Sequence, residues 1–215
     1  MSLQKVIDIA LQDLAYTESP PGTNNNKFGK AYGLNNVPWC VQCQWYWFFQ
    51  ADESMAFFGG AKTASCRTLA RWHKEQGHKV DIDDIQAGDL VFMNFHNGKS
   101  LEHVGLVIGV KKGKKLEVTT IEGNTSPGLE GSQDNGGCVA KKIRYKSQIV
   151  EVDRPVYTEE KPLIDDISTH WAASSIKKAK TKAIMKGYPD GSFAPDKPIT
   201  RAEICVILDR LGLLD

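Results

Sequence analysis

The 215-residue chain is predicted to be an α+β protein, with helices first, an antiparallel sheet after them, and a small all-α module at the end. Three observations predict this. Apolar residues recur at helical spacing near the N-terminus. The period then changes to short strand-like runs between residues 89 and 143. Helical spacing returns after Tyr157-Thr158-Glu159-Glu160-Lys161-Pro162, a polar stretch ending in proline that reads as a linker. The expected boundaries are a first domain over 1–157, a linker over 158–162 and a second module over 163–215.

Leu3, Val6, Ile7, Ala10, Leu11 and Leu14 form one stripe of an amphipathic helix. Residues 19–36 are rich in Pro, Gly and Asn and read as a loop. Val37-Pro38-Trp39-Cys40 then leads into an aromatic run ending at Phe49. Pro38 suits a first helical turn, which puts Cys40 near a helix N-terminus. A further helix is expected over 63–76. Strands are expected over 89–95, 102–110, 115–122 and 138–143. In the last module, Ala172, Ile176, Ala179 and Ala183 make a helix stripe. Thr200 and Glu203 are a capping box for a second helix bearing Ile204, Ile207, Leu208 and Leu211, and residues 187–191 supply a turn.

Composition excludes several classes. The formal net charge is +1, without the concentrated basic face that phosphate binding requires, so nucleic acid is not expected as a partner. No apolar run approaches the roughly 18–20 residues that span a bilayer, so no membrane span is expected. Residues 1–15 carry Asp8 and Asp13 and no small-residue cleavage site, and do not read as a secretory signal. Five cysteines are an odd number, which argues against a full disulfide framework. Cys40 and Cys43 form a CxxC, but no second pair completes a zinc site and no βαβ context supports a redox pair.

Chemistry converges on Cys40, His103 and Glu122. A nucleophilic thiol must be a thiolate, and helix N-termini and imidazolium neighbours favour that form. His73, His78 and His96 read as solvated, whereas His103 lies within a strand. If Lys111 pairs with Lys114 across a hairpin, paired positions sum to about 225, and His103 faces Glu122 directly. A single bulge would undo that register. A carboxylate there would orient the ring and stabilise its protonated form. The same arrangement on its own would also suit a purely structural His–Glu pair.

Several segments resemble the CHAP family, the cysteine- and histidine-dependent amidohydrolases/peptidases that cut peptidoglycan. They are Gly29-Lys30-Ala31-Tyr32-Gly33, Trp39-Cys40, Ala87-Gly88-Asp89-Leu90-Val91-Phe92, Glu102-His103-Val104-Gly105-Leu106-Val107, Ile121-Glu122-Gly123-Asn124-Thr125-Ser126 and Ser147-Gln148-Ile149-Val150. The resemblance implies a papain-like α+β fold, Cys40 as nucleophile, His103 as base, Glu122 as orienting acid and Asn124 as a supporting polar residue. Cys43 stands where the family often has an aromatic and is assigned to packing. Some members bind calcium before the nucleophile; here that stretch is Thr23-Asn24-Asn25-Asn26, without a carboxylate. No metal and no cofactor are therefore expected.

Asp166-Ile167-Ser168-Thr169-His170-Trp171, residues 187–195 and Ile199-Thr200-Arg201-Ala202-Glu203 resemble one S-layer homology (SLH) module. The resemblance implies binding of secondary cell-wall polysaccharide through Asp166, Trp171, Gly187 and Arg201, with Trp171 as core the bland alternative. The family usually strings three modules together, so one copy implies either association of three chains through residues 163–215, the favoured outcome, or a monomeric module packed on the first domain that binds sugar weakly. The two resemblances together imply a peptidoglycan hydrolase anchored at the bacterial cell wall, with N-acetylmuramoyl-L-alanine amidase as its activity. Since residues 1–15 do not read as a secretory signal, a phage endolysin released through a holin-type pore is the expected setting. Cross-bridge endopeptidase, host autolysin and inactive wall-binding protein are the alternatives.

Overall fold

The computed structural model describes residues 2–129, 136–158, 165–188 and 191–214. The chain divides into two compact units, 1–159 and 160–215. Of the expected linker, 158–162, only Thr158 lies within the described residues, and it is fastened to the first unit. Its backbone N–H and hydroxyl both donate to Glu53 Oε2, at 3.0 and 3.1 Å.

In the first unit five helices precede the main strands: α1 (Ser2–Gln12), α2 (Lys27–Tyr32), α3 (Cys40–Gln50), α4 (Ser54–Phe58) and α5 (Cys66–Glu75). The α1 stripe buries Val6, Ile7 and Ala10. The segment expected as a loop over 19–36 contains α2. Asn26 accepts the Gly29 N–H at 2.8 Å and starts the helix, and Gly33 ends it at φ 90°. The asparagines therefore serve the turn. Pro38 stands just before the N-cap Trp39, and Cys40 is the first helical residue of α3. Ser65 caps α5 by accepting the Thr68 N–H at 3.3 Å, so that helix begins at Cys66 rather than at 63.

The sheet has six antiparallel strands, in the order β1 (Lys79–Val80), β6 (Ile149–Asp153), β2 (Leu90–Met93), β3 (His103–Lys111), β4 (Glu117–Thr125), β5 (Cys138–Tyr145). This is the α+β, papain-like layout expected. Strand alternation separates two cores. Leu90, Phe92, Val104, Leu106 and Ile121 pack with the helices, while Val91, Met93, Val107, Val118 and Val152 line the other face. Trp39 and Trp47 are fully buried in α3 and its cap, and their indole N–H groups donate to Glu18 (3.1 Å) and Asp13 (3.0 Å). A buried indole needs such an acceptor, and the two bonds fix where α3 starts and how it lies.

The β3–β4 hairpin corrects the expected register. Leu106 pairs with Ile121 and Val107 with Thr120; beyond a shift between Val107 and Gly109, Lys111 pairs with Glu117. The loop is longer than expected, so His103 does not face Glu122 directly. On the His103 side the slip is two residues. The side-chain period of a strand is also two, so both residues keep a common face.

The second unit contains α6 (Ala173–Thr181) and α7 (Arg201–Arg210). The expected stripe overshoots α6: Lys182 is its C-cap and Ala183 is left-handed at φ 54°. The Thr200–Glu203 capping box forms as read. Part of the expected 187–191 turn, residues 189–190, lies outside the described residues.

Candidate active site

Cys40 is 7% exposed, and His103 and Glu122 are wholly buried. α3 packs against β3 and β4, which brings its first residue to the strand that opens with His103. The imidazole Nε2 lies 2.9 Å from Glu122 Oε2. The carboxylate gets there diagonally. It crosses Gly105, where a Cβ would stand 2.9 Å from Glu122 Cγ, so only a glycine leaves the path open. With Nε2 committed to Glu122, Nδ1 is the nitrogen left for the thiol. Nδ1 has no fully formed hydrogen bond among the described residues, yet Cys40 and His103 act on each other's charge. Such contacts are commonly loose before substrate binds.

The electrostatics favour an ion pair. Hydrogen bonding with the Cys66 thiol, then the nearby His103 and its charge and the Val41 N–H, lower the Cys40 thiol well below its ordinary range against the cost of burial. Burial presses His103 towards neutrality, but the charge of Glu122 and the nearby Cys40 thiolate outweigh it and lift the imidazole to about 9. Burial would raise Glu122; hydrogen bonds from Arg144 and the charge of His103 instead hold it well below the usual carboxylate range. The site can thus hold a thiolate beside an imidazolium oriented by a carboxylate.

Asn124 is buried and left-handed, at φ 54°, in the irregular stretch of β4 between Glu122 and Thr125. Cys43 is fully buried one turn along α3, where a Cβ on Gly123 would stand 2.5 Å from its Sγ. Burial first, then the charge of Asp13, raises its thiol well above the ordinary range, so Cys43 packs α3 against β4. Two neighbours carry no signal in the sequence. Cys66, the first residue of α5, meets Cys40 although nothing in their spacing joins them. Arg144 on β5 grips Glu122. One histidine reading is corrected: His73 is fully buried, its Nδ1 3.1 Å from His78 Nδ1. Cys66, Leu69, Ala70 and His73 form the buried face of α5, a pattern that was available in the sequence.

In the second unit the expected sugar-binding residues divide. Asp166 is bonded to the backbone N–H groups of Phe193 (3.0 Å) and Ala194 (2.6 Å). Gly187 leaves room for the Ser192 carbonyl, 2.5 Å from where a Cβ would sit. Both shape the loop. Trp171 is 91% exposed and so is not core; Arg201 is exposed at the start of α7.

A helix-borne thiol beside a strand-borne imidazole and its carboxylate is the constellation of thiol-dependent acyl-transfer enzymes. Family comparison then places the chain: the CHAP domain matches residues 32–124 and the S-layer homology domain residues 163–205. The protein carries a CHAP domain followed by one SLH domain.

Among curated proteins, 47 residues are 51% identical to cell surface glycoprotein 1 of Acetivibrio thermocellus, covering 22% of this chain and 2% of that protein. A cellulosome-anchoring protein of the same organism is 45% identical over 51 residues, 22% of this chain and 11% of that protein. Outer membrane protein SlpA of Deinococcus radiodurans is 34% identical over 58 residues, 26% and 5% respectively. The chain thus spans a small fraction of each of these relatives. A solved Staphylococcus aureus structure, described as similar to lipoprotein of the NLP/P60 family, aligns over 73% of this chain and 42% of that one. Its TM-score is 0.37 at 12% identity.

Proposed function

We propose that the protein is a peptidoglycan hydrolase that cuts an amide bond with Cys40, His103 and Glu122 and is held to wall polysaccharide by its SLH domain. The CHAP and SLH matches support a hydrolase acting at the cell wall. The observation that carries the mechanism is the wholly buried 2.9 Å His103–Glu122 bond beside a thiol held low. The Cys40 thiolate attacks the amide carbonyl carbon, and the Cys40 backbone N–H at the start of α3 is the proposed oxyanion donor. The His103 imidazolium gives its proton to the leaving amine. The neutral ring then takes a proton from water as that water attacks the thioester, which frees the acid product and restores the thiolate–imidazolium pair. Glu122 aims the ring and offsets its charge; Asn124 supports the irregular strand beside it.

The target we propose is the bond between the lactyl group and L-alanine. Trp171, just before α6, and Arg201, at the start of α7, are the proposed polysaccharide contacts, with Asp166 and Gly187 shaping the loop around residues 192–194. Zymography on purified cell walls tests the enzyme: Cys40→Ala and His103→Ala should give no clearing, while Glu122→Gln keeps a residual band. An active Cys40→Ala would refute the mechanism. Mass spectrometry of the digest should show free stem peptides; cut cross-bridges with intact lactyl–alanine links would instead identify an endopeptidase.

A further inference from the structure

The Glu122 carboxylate is held by more than the imidazole. Arg144, wholly buried on the neighbouring β5, donates from Nε to Oε1 at 2.8 Å and from Nη2 to Oε2 at 2.5 Å, a two-pronged grip. Thr120 Oγ1 donates to Oε1 at 2.5 Å and Thr125 Oγ1 to Oε2 at 3.3 Å. The guanidinium carbon lies 4.7 Å from the centre of the Phe95 ring, and that ring is 6.1 Å from the His103 ring. One aromatic side chain thus flanks both cationic partners of the carboxylate.

Burying a guanidinium is costly unless its charge is matched, and an imidazole alone does not need a second cation to orient it. Across α3, β3, β4 and β5 the charges of the ionised site alternate: Cys40 negative, His103 positive, Glu122 negative, Arg144 positive. Without Arg144 this buried row carries a net negative charge, and the plane of the carboxylate is held only by single bonds to the imidazole, Thr120 and Thr125. The planar fork removes both faults, because its two parallel bonds set the plane of the carboxylate and leave Oε2 directed at His103.

We propose that Arg144 is a positioning residue for the hydrolysis: its fork fixes the Glu122 carboxylate in the plane from which Oε2 holds the His103 ring towards Cys40. This rests on the catalytic reading of Cys40, His103 and Glu122.

The test uses the full chain, with two readouts. One is kcat and KM for wall clearing across pH. The other is the rate at which iodoacetamide alkylates Cys40, followed at the peptide level. Arg144→Met should lower kcat roughly 10²-fold with KM little changed, as expected for a misplaced catalytic group. It should also move the acidic limb of kcat/KM upward by about one pH unit or more, since Glu122 loses an adjacent positive charge. Arg144→Lys, which restores charge without the fork, should bring the acidic limb back and recover kcat only in part. In a Glu122→Gln background, Arg144→Met should cost nothing further, because the two act as one unit.

Wild-type kcat and pH profile in Arg144→Met overturn the proposal. So does an equal loss in both backgrounds, which marks a purely structural residue. Should Arg144→Met alone fail to fold, the double variant, which removes both charges together, is compared with Glu122→Gln. Equal activity supports the proposal and lower activity overturns it. Cys40→Ala separates the two readings. If it retains hydrolysis and alkylation leaves activity intact, the catalytic assignment itself fails. If it is inactive while Arg144→Met behaves as wild type, only the role of Arg144 falls.

Discussion

Three residues from three elements favour the thiolate form of Cys40: Cys66 at the start of α5, His103 at the start of β3 and Val41 beside it on α3. Cys66 is the strongest influence, and the effect is reciprocal. Its bond to Cys40, then burial, raise the Cys66 thiol well above the ordinary range, so Cys66 stays protonated and serves as the donor. Cys66→Ala removes that donor. The pH midpoint for alkylation of Cys40 should then move upward, with His103→Ala moving it further in the same direction. An unchanged midpoint in Cys66→Ala would show that Cys66 merely packs. At the alkaline end, in the proposed mechanism, the imidazolium must hold the proton that the leaving amine receives. Since His103 titrates at about 9, kcat/KM should fall as pH rises through that value.

Among the elements, the β3–β4 hairpin and α5 are the informative ones. Gly105 lets a diagonal His103–Glu122 pair do the work of a directly opposed one. The α5 helix buries His73 on its apolar face, where burial first, and then the charge of His78, lower the imidazole from 6.5 to about 4. The folded state therefore binds fewer protons than the unfolded chain between these values. The helix keeps its full stability above about pH 6.5 and loses it as pH falls towards 4, by roughly 3 kcal/mol when both states are compared below that range. His73→Leu should lose less melting temperature between pH 7 and pH 4.5 than the wild type. Equal losses in the two proteins would show that His73 does not drive acid unfolding.

For the molecule as a whole, the SLH domain raises the question of assembly. No residue of α7 is buried, and Ile204, Val206 and Leu211 are 43–47% exposed. Between α7 and the preceding loop lies a cavity of ≈ 400 Å³, with Tyr188, Phe193, Ile199 and Val206 in its wall. A stripe that is apolar in sequence yet uncovered within one module is the kind of surface that association would cover. We propose that three chains associate through residues 163–215 in a closed cyclic arrangement, which would raise apparent affinity for the wall by roughly 10²–10⁴ through tethering. Light scattering should give a trimer for the full chain and a monomer for a chain ending at residue 158. A full-length monomer at working concentration rejects the association. Arg201→Ala should weaken retention on polysaccharide-bearing walls and leave hydrolysis of soluble fragments intact.

Local patterns in the sequence determined the elements that depend on local physics. The α1 stripe, the start of α3 at Cys40, the Thr200–Glu203 cap and the change to strand period can each be read from a few neighbouring residues, because caps and side-chain periods act over one or two turns. The common face of His103 and Glu122 was also legible, since a two-residue slip preserves it. Their actual pairing was not, because loop length and a register shift are settled by how β4 packs on β3 and β5. Cys66 and Arg144 were invisible for the same reason. Each reaches the site only through tertiary packing, one from a helix start and one from the next strand, and no spacing along the chain encodes either contact. His73 shows the remaining gap: its position in the α5 period pointed inward, and only the folded core showed that an imidazole could be held there neutral against His78.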